Sequence, residues 1–246
     1  AYVFQEYEGA GDEPPVAFGI STGLAFHLDA VRASWAGLCE GVERDALMLA
    51  WWTRRAAPRL SLAGAPEPLA ERVRRLAEAG IEAELYDITG DVPIPTVFCV
   101  LRAGRIPFAA VELARAGRFG EVHTLADHAH VYAGWRETPA FDFLRGASAP
   151  QRSFADFAAA TWWRAPADDD ELRAHARALE VRGLTVLDAD LTVPEAAAIG
   201  CVVRTLVPEL LPLSPDHGAR WLATPRLVRA LAESGAEVNP FPHPFA

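Results

Sequence analysis

The chain has 246 residues, half of them apolar, and a formal net charge of −10. That length allows one sizeable core or two small ones. The acidic balance argues against a surface that neutralises phosphate backbones, and no apolar run is long enough to span a bilayer, so neither nucleic acid nor membrane is an expected partner.

The N-terminus starts at once on strand-like Tyr2–Tyr7, with no basic start leading into an apolar stretch, so no signal peptide is expected. The abrupt start predicts further sequence upstream. A second strand is expected near Val16–Ile20, then a turn at Ser21-Thr-Gly23 and a long helix from about Leu28 to Trp52. Pro58, Pro66 and Pro68 precede an amphipathic helix, Leu69–Ala79, that Gly80 ends. Strands are predicted at Ile81–Ile88 and Thr96–Leu101, a short helix at Val111–Ala116, a helix at Asp168–Glu180 and a strand at Leu184–Ala189.

Gly80, Asp87 and Thr89 recur 103 residues later as Gly183, Asp190 and Thr192. Each copy reads helix, glycine, strand, Asp-x-Thr, proline-bearing turn, then a strand containing a cysteine (Cys99, Cys201). Coincidence is the plain alternative, but three matches at one offset predict a duplicated helix–strand unit in a mixed α+β fold.

Cys39, Cys99 and Cys201 are far apart and sit in apolar segments, which predicts buried free thiols in a reducing, cytoplasmic setting. The chain contains no lysine. A Schiff-base lysine and a Walker-type phosphate loop are therefore excluded, and any nucleotide must be held another way.

The long helix is apolar nearly all round except at Glu40, Glu43, Arg44 and Asp45, a pattern that predicts burial. Glu40, Glu43 and Arg44 share one face. One account is a solvated i,i+4 salt bridge, worth about 0.3–0.5 kcal/mol. The other is a nucleotide–metal site, since two carboxylates and one guanidinium leave one negative charge for a divalent cation, and arginine suits phosphate oxygens.

The last residues, Asn239-Pro-Phe-Pro-His-Pro-Phe-Ala246, alternate proline with aromatic rings. Proline fixes φ and removes a donor, so the tail is pre-set as extended and loses little entropy on docking. A docked element is expected rather than a frayed end.

Taken in order, these segments resemble the YcaO family, specifically its azoline-forming cyclodehydratases. Gly19-Ile-Ser-Thr-Gly-Leu-Ala25 looks like its Ser-Asn-Gly-x-Ala turn, and Glu40-Gly-Val-Glu-Arg-Asp45 matches its Glu-x-x-Glu-Arg-Asp helix. Asp87-Ile-Thr with Ile94-Pro95, Thr124-Leu-Ala-Asp-His128 with Tyr132, Asp190-Leu-Thr, Val202–Pro208 and the proline tail continue the series. The resemblance runs from about Phe18 to Ala246. It implies that residues 1–246 are the C-terminal portion of a YcaO cyclodehydratase domain, lacking segments before residue 1 and near 104–120.

The resemblance implies ATP and Mg²⁺ as cofactors. Glu40 and Glu43 would hold the metal, and these two with Arg44 would bind the nucleotide. Pro240, Pro242 and Pro244 would be the catalytic tail, with His243 as a proton carrier or a packing residue. The implied reaction is closure of Cys, or Ser and Thr, side chains of a precursor peptide into thiazoline or oxazoline rings. Implied partners are that peptide, a leader-binding protein and a flavin dehydrogenase of the same pathway; a homo-oligomer is compatible. Three departures stand out: no counterpart of the family's second acidic helix between the Thr96 strand and the Leu125 segment, Arg32 where a glutamate is usual, and Glu209 in place of glycine. They leave a catalytically silent scaffold as the alternative, while the tail counts against thioamide or amidine formation.

Elsewhere, His123, His128 and His130 lie in a loop-like stretch and read as capping and packing groups rather than a metal site. Trp51-Trp52 and Trp162-Trp163 read as core or interface anchors, and Asp168-Asp-Asp170 as a helix N-terminus.

Overall fold

The computed structural model describes residues 20–103, 119–132, 139–145, 151–160 and 163–245. The strand expected at Tyr2–Tyr7, nearly all of that at Val16–Ile20, and the helix at Val111–Ala116 fall outside them. Among the described residues are seven strands and seven α-helices, a mixed α+β fold. No described helix is long and apolar enough to cross a membrane.

The chain divides into two compact units, residues 1–44 with 165–215, and residues 45–164 with 216–246. The first unit holds β1 (Leu24–His27), the opening of α1 (Ala30–Trp52), α6 (Asp169–Glu180), β6 (Leu187–Asp190) and β7 (Cys201–Leu206). Its sheet is antiparallel throughout, in the order β1-β7-β6. Helix α1 starts where the Asp29 carboxylate accepts the Arg32 N–H at 3.0 Å. Asp168 caps α6 the same way, accepting from Glu171 N–H at 2.9 Å, as its sequence predicts.

The second unit carries the rest of α1, β2 (Arg59–Ser61), α2 (Glu67–Glu78), β3 (Ile81–Asp87), β4 (Val97–Ala103), α3 (Leu125–Tyr132), α4 (Asp142–Arg145), β5 (Gln151–Ser153), α5 (Phe154–Ala159), α7 (Pro225–Ser234) and the tail. Its sheet runs β4-β3-β2-β5, with only the β2–β5 pair parallel. Leu60, Leu85 and Phe157 pack on it as one apolar cluster. Trp51 and Trp52 are wholly buried, so this tryptophan pair is a core anchor.

The repeat is real in three dimensions. Each unit contains one helix–glycine–hairpin copy, α2-β3-β4 in one and α6-β6-β7 in the other, with both hairpins antiparallel. Gly80 and Gly183 stop their helices at φ +76° and +78°, backbone that side chains with a Cβ rarely adopt. The Asp-x-Thr turns are near-identical. Thr89 N–H donates to Asp87 Oδ1 at 3.0 Å and Thr192 N–H to Asp190 Oδ1 at 2.9 Å. The threonine hydroxyls then accept from the opposing strands, Thr96 N–H at 3.1 Å and Val202 N–H at 2.9 Å.

Two expectations are corrected. Leu125–Tyr132 is a helix rather than a loop-like stretch: Asp127 accepts from the Thr124 N–H and hydroxyl, capping the first turn. Cys99 is exposed and Cys201 half-buried; all three cysteines are free thiols, and burial raises the Cys99 thiol and, with Glu43, pushes the Cys39 thiol up to about 12.

Candidate functional site

Glu40, Glu43 and Arg44 are brought together on α1. Arg44 reaches Glu40 at 3.1 Å and Glu43 at 3.3 Å. The second Glu40 oxygen accepts the Gly23 N–H at 3.0 Å, so the Ser21-Thr-Gly23 turn and the charged helix, separate motifs in the sequence, form one structure.

Backbone contact makes that geometry possible. A Cβ on Gly23 would stand 2.0 Å from the Thr205 carbonyl oxygen, and one on Gly37 would stand 2.4 Å from the Gly23 oxygen. Gly23 also has φ +80°. Glycine at both places lets turn, helix and β7 meet, and Thr205 adds a hydroxyl bond to the Ser34 carbonyl at 3.1 Å. Glu40 is thereby fixed on both oxygens.

Glu43 differs: its side chain is 49 % exposed, against 27 % for Glu40 and 14 % for Arg44. The expectation of burial all round the helix therefore holds for its second part only. Asp45 is the buried charge, 2 % exposed, and Arg226 of α7 grips both its oxygens, at 2.6 and 2.7 Å. Arg226 also bonds Asp91 at 2.6 and 3.1 Å. Burial opposes the guanidinium charge, but hydrogen bonds to Asp45 and Asp91 hold its pKa above the ordinary arginine range. Asp45 is thus a structural ion pair, and its partner 181 residues away carried no local signal.

The residual charge of the Glu40–Glu43–Arg44 cluster is negative. A half-exposed carboxylate beside a fixed one suits a hydrated Mg²⁺, which uses one or two carboxylates and keeps several waters. No group of three or more His, Cys, Asp or Glu side chains able to hold a metal occurs among the described residues.

Pro240, Pro242 and Pro244 lie in the other unit. Pro242 is buried, Pro244 half-buried and Pro240 exposed. Asn239 starts the tail fully buried, with its N–H on the Trp52 carbonyl at 2.9 Å and its side-chain amide on the Trp51 carbonyl at 3.2 Å. His243 is also fully buried and stacks on His128 with ring centroids 3.9 Å apart. His217 packs within 6.4 Å of His128 and 6.3 Å of Trp52. Burial pulls its pKa down to about 4, helped by Arg220 and His128. The tail is docked, as its composition predicts. His128 is a packing group; His123 bonds Asp216 at 3.1 Å. Glu209, the departure from the family pattern, accepts both the N–H and the hydroxyl of Thr185 at 2.9 Å.

Residues 1–117 match the family model described as YcaO cyclodehydratase, ATP-ad Mg2+-binding. Among solved structures, the chain is similar to a heterocyclase in complex with substrate and cofactor, with a TM-score of 0.65 and 21% identity over 95% of this chain and 35% of that one. It is similar to the heterocyclase TruD, with a TM-score of 0.63 and 22% identity over 95% of this chain and 36% of that one. It is also similar to YcaO from Methanopyrus kandleri bound with AMPPCP and Mg2+, with a TM-score of 0.58 and 17% identity over 81% of this chain and 57% of that one. These likenesses show the fold, and the chain spans about a third of the length of the first two structures. A search of curated proteins found no match. Residues 1–117, a little under half of the chain, thus match the YcaO family model, and most of the chain shares the fold of the heterocyclase and YcaO structures.

Proposed function

We propose that this chain contributes the phosphate-side carboxylates and the proline tail of an ATP-dependent cyclodehydratase that closes azoline rings in a precursor peptide. The observation that carries this reading is the Glu40–Glu43–Arg44 cluster tied to the Gly23 amide, inside the segment that matches an ATP- and Mg²⁺-binding family.

Glu43, half-exposed, and Glu40, locked in place, are the proposed Mg²⁺ ligands; Arg44 lies where it can contact phosphate oxygens. Bound Mg·ATP would supply the phosphoryl group that turns hydroxide, a poor leaving group, into phosphate. In the peptide, a Cys thiol or a Ser or Thr hydroxyl adds to the preceding amide carbonyl and loses its proton. The resulting oxyanion would take the γ-phosphoryl group, with ADP as the leaving group. Cleavage of that C–O bond then releases phosphate as the amide N–H proton leaves, giving the C=N bond of the ring. The protein's part is positioning and charge stabilisation. On this reading the cell partners are the precursor peptide and a leader-binding protein, in the cytoplasm.

The test is incubation of the protein with such a partner, a Cys-rich precursor and Mg·ATP, read by mass spectrometry. Loss of one water mass per ring is expected, and Glu43→Gln lowers the rate on the order of a hundredfold, the usual scale for removing a charge-stabilising contact. Ring formation at the unaltered rate in Glu43→Gln would overturn the assignment of the helix.

A further inference from the structure

The tail presents an unusual recognition problem. Its three prolines offer no N–H, so most of its hydrogen-bonding capacity is carbonyl oxygen. An extended proline-rich segment turns about every three residues, so successive carbonyls point roughly 120° apart. No single helix or strand can reach them all.

The protein meets this with aromatic donors from separate elements. Trp51 Nε1–H of α1 donates to the Phe241 carbonyl at 3.0 Å. The Tyr132 hydroxyl of α3 donates to the Pro242 carbonyl. His128 Nδ1, one turn earlier on the same helix, bonds the His243 carbonyl at 2.9 Å. His217 hydrogen-bonds the Pro240 backbone, which as proline has only its carbonyl to offer. Four consecutive carbonyls are thus held by four ring donors. Asn239 closes the upstream end, since its side-chain oxygen accepts the Phe241 N–H at 3.1 Å while its amide holds the Trp51 carbonyl.

The repeating pattern of the tail explains why such a grip is useful. Proline recurs at every second position, so sliding the segment by two residues puts proline on proline and ring on ring. Hydrophobic burial alone discriminates weakly between these registers, because it is non-directional. Hydrogen bonds from rigid rings do discriminate, because each donor fits one carbonyl. Trp51 and Tyr132 are held in turn by edge-to-face contacts with each other and with Phe141.

We propose that Trp51, Tyr132 and His128 are positioning residues for ring formation, fixing the register of the proline tail through its Phe241, Pro242 and His243 carbonyls. The proposal rests on the reading of the tail as part of the peptide-side machinery. None of the three needs to touch the peptide; each acts through the tail.

The test compares Tyr132→Phe, which deletes one hydroxyl, with His128→Leu, which deletes donor and stack, and His128→Asn, which keeps a side-chain N–H at a similar reach. A neutral hydrogen bond contributes about 0.5–1.5 kcal/mol, so Tyr132→Phe should lower kcat for ring formation about three- to tenfold while KM for ATP stays unchanged. His128→Asn should recover most of the rate that His128→Leu loses. Wild-type kcat in both Tyr132→Phe and His128→Leu would overturn the proposal, as would losses that merely follow the folded fraction. Nitrogen-15 NMR of the imidazoles gives an answer independent of activity. The wild-type protein should show a slowly exchanging Nδ1 proton on His128, and Tyr132→Phe should raise hydrogen exchange at the Phe241 and His243 amides. If the wild type forms no ring with its partner, the functional reading falls while the NMR result still judges the clamp; a His128 ring exchanging freely with solvent would remove the clamp itself.

Discussion

Arg44 and Asp45 are neighbours in the chain, yet the charge clusters they belong to obey opposite rules. Around Asp45 the buried charge is met by geometry: Arg226 binds both of its carboxylate oxygens within 2.7 Å and shares its fork with the exposed Asp91, in surroundings that leave Asp45 2 % exposed. Around Arg44 two carboxylates compete for one guanidinium, and Glu43 stays half in solvent. Burying a pair is costly but breaking it costs more, whereas a surface cluster adds little to stability and keeps its excess charge for a ligand. One helix therefore carries a structural ion pair and a candidate chemical site side by side in sequence.

Arg226→Met should break the first cluster most visibly. Asp45 would be left buried without its countercharge, and urea unfolding should register a loss of about 3–5 kcal/mol. Glu43→Gln, measured in the same way, should change stability by less than about 1 kcal/mol while lowering ATP-dependent turnover on the order of a hundredfold. Similar losses of stability from both substitutions would erase the distinction between the clusters.

How far the sequence reveals this contrast depends on range. The long helix, the glycine stops, the Asp168 cap and the duplicated Asp-x-Thr turns were legible because each rests on contacts a few residues apart. The tail was legible as a stiff segment, since proline acts locally. Arg226 was not, because its partner Asp45 is 181 residues away and nothing near Pro225 announces a buried charge. Helix α3 was hidden by its mixed composition, with Asp127 capping its start and His128 and Tyr132 turned to the tail. The half-exposure of Glu43 was equally hidden, since an apolar helix does not say where its cover ends.

His217 offers a third case, a titratable group whose charge is opposed by burial, Arg220 and His128 more than it is supported by Asp216. Its folded pKa of about 4 lies below the ordinary histidine value of 6.5, so between those values the unfolded chain binds more protons than the folded one. Stability should therefore be full above pH 6.5 and fall as pH drops towards 4. The expected loss is about 2 kcal/mol between pH 7 and pH 5, checked by urea unfolding at both. His217→Gln should flatten that slope. An unchanged slope would mean that other groups carry the pH dependence.

The repeated turns supply the mildest version of the comparison, because the same motif meets two environments. Asp87 is 9 % exposed and receives Arg152 at 2.8 Å in addition to its own turn bond. Asp190 holds the matching turn bond on an exposed strand, and hydrogen bonds to the Thr192 side chain and then its backbone draw its pKa below the ordinary aspartate value. Asparagine preserves the accepting oxygen of the turn in both copies and removes only the charge. Asp87→Asn should therefore lose the ionic contact and cost about 1–2 kcal/mol, the scale of a hydrogen bond to a charged group. Asp190→Asn should leave the unfolding midpoint where it is. If both copies respond alike, the turn rather than the burial of its carboxylate governs these positions, and the rule inferred from Arg44 and Asp45 does not extend beyond α1.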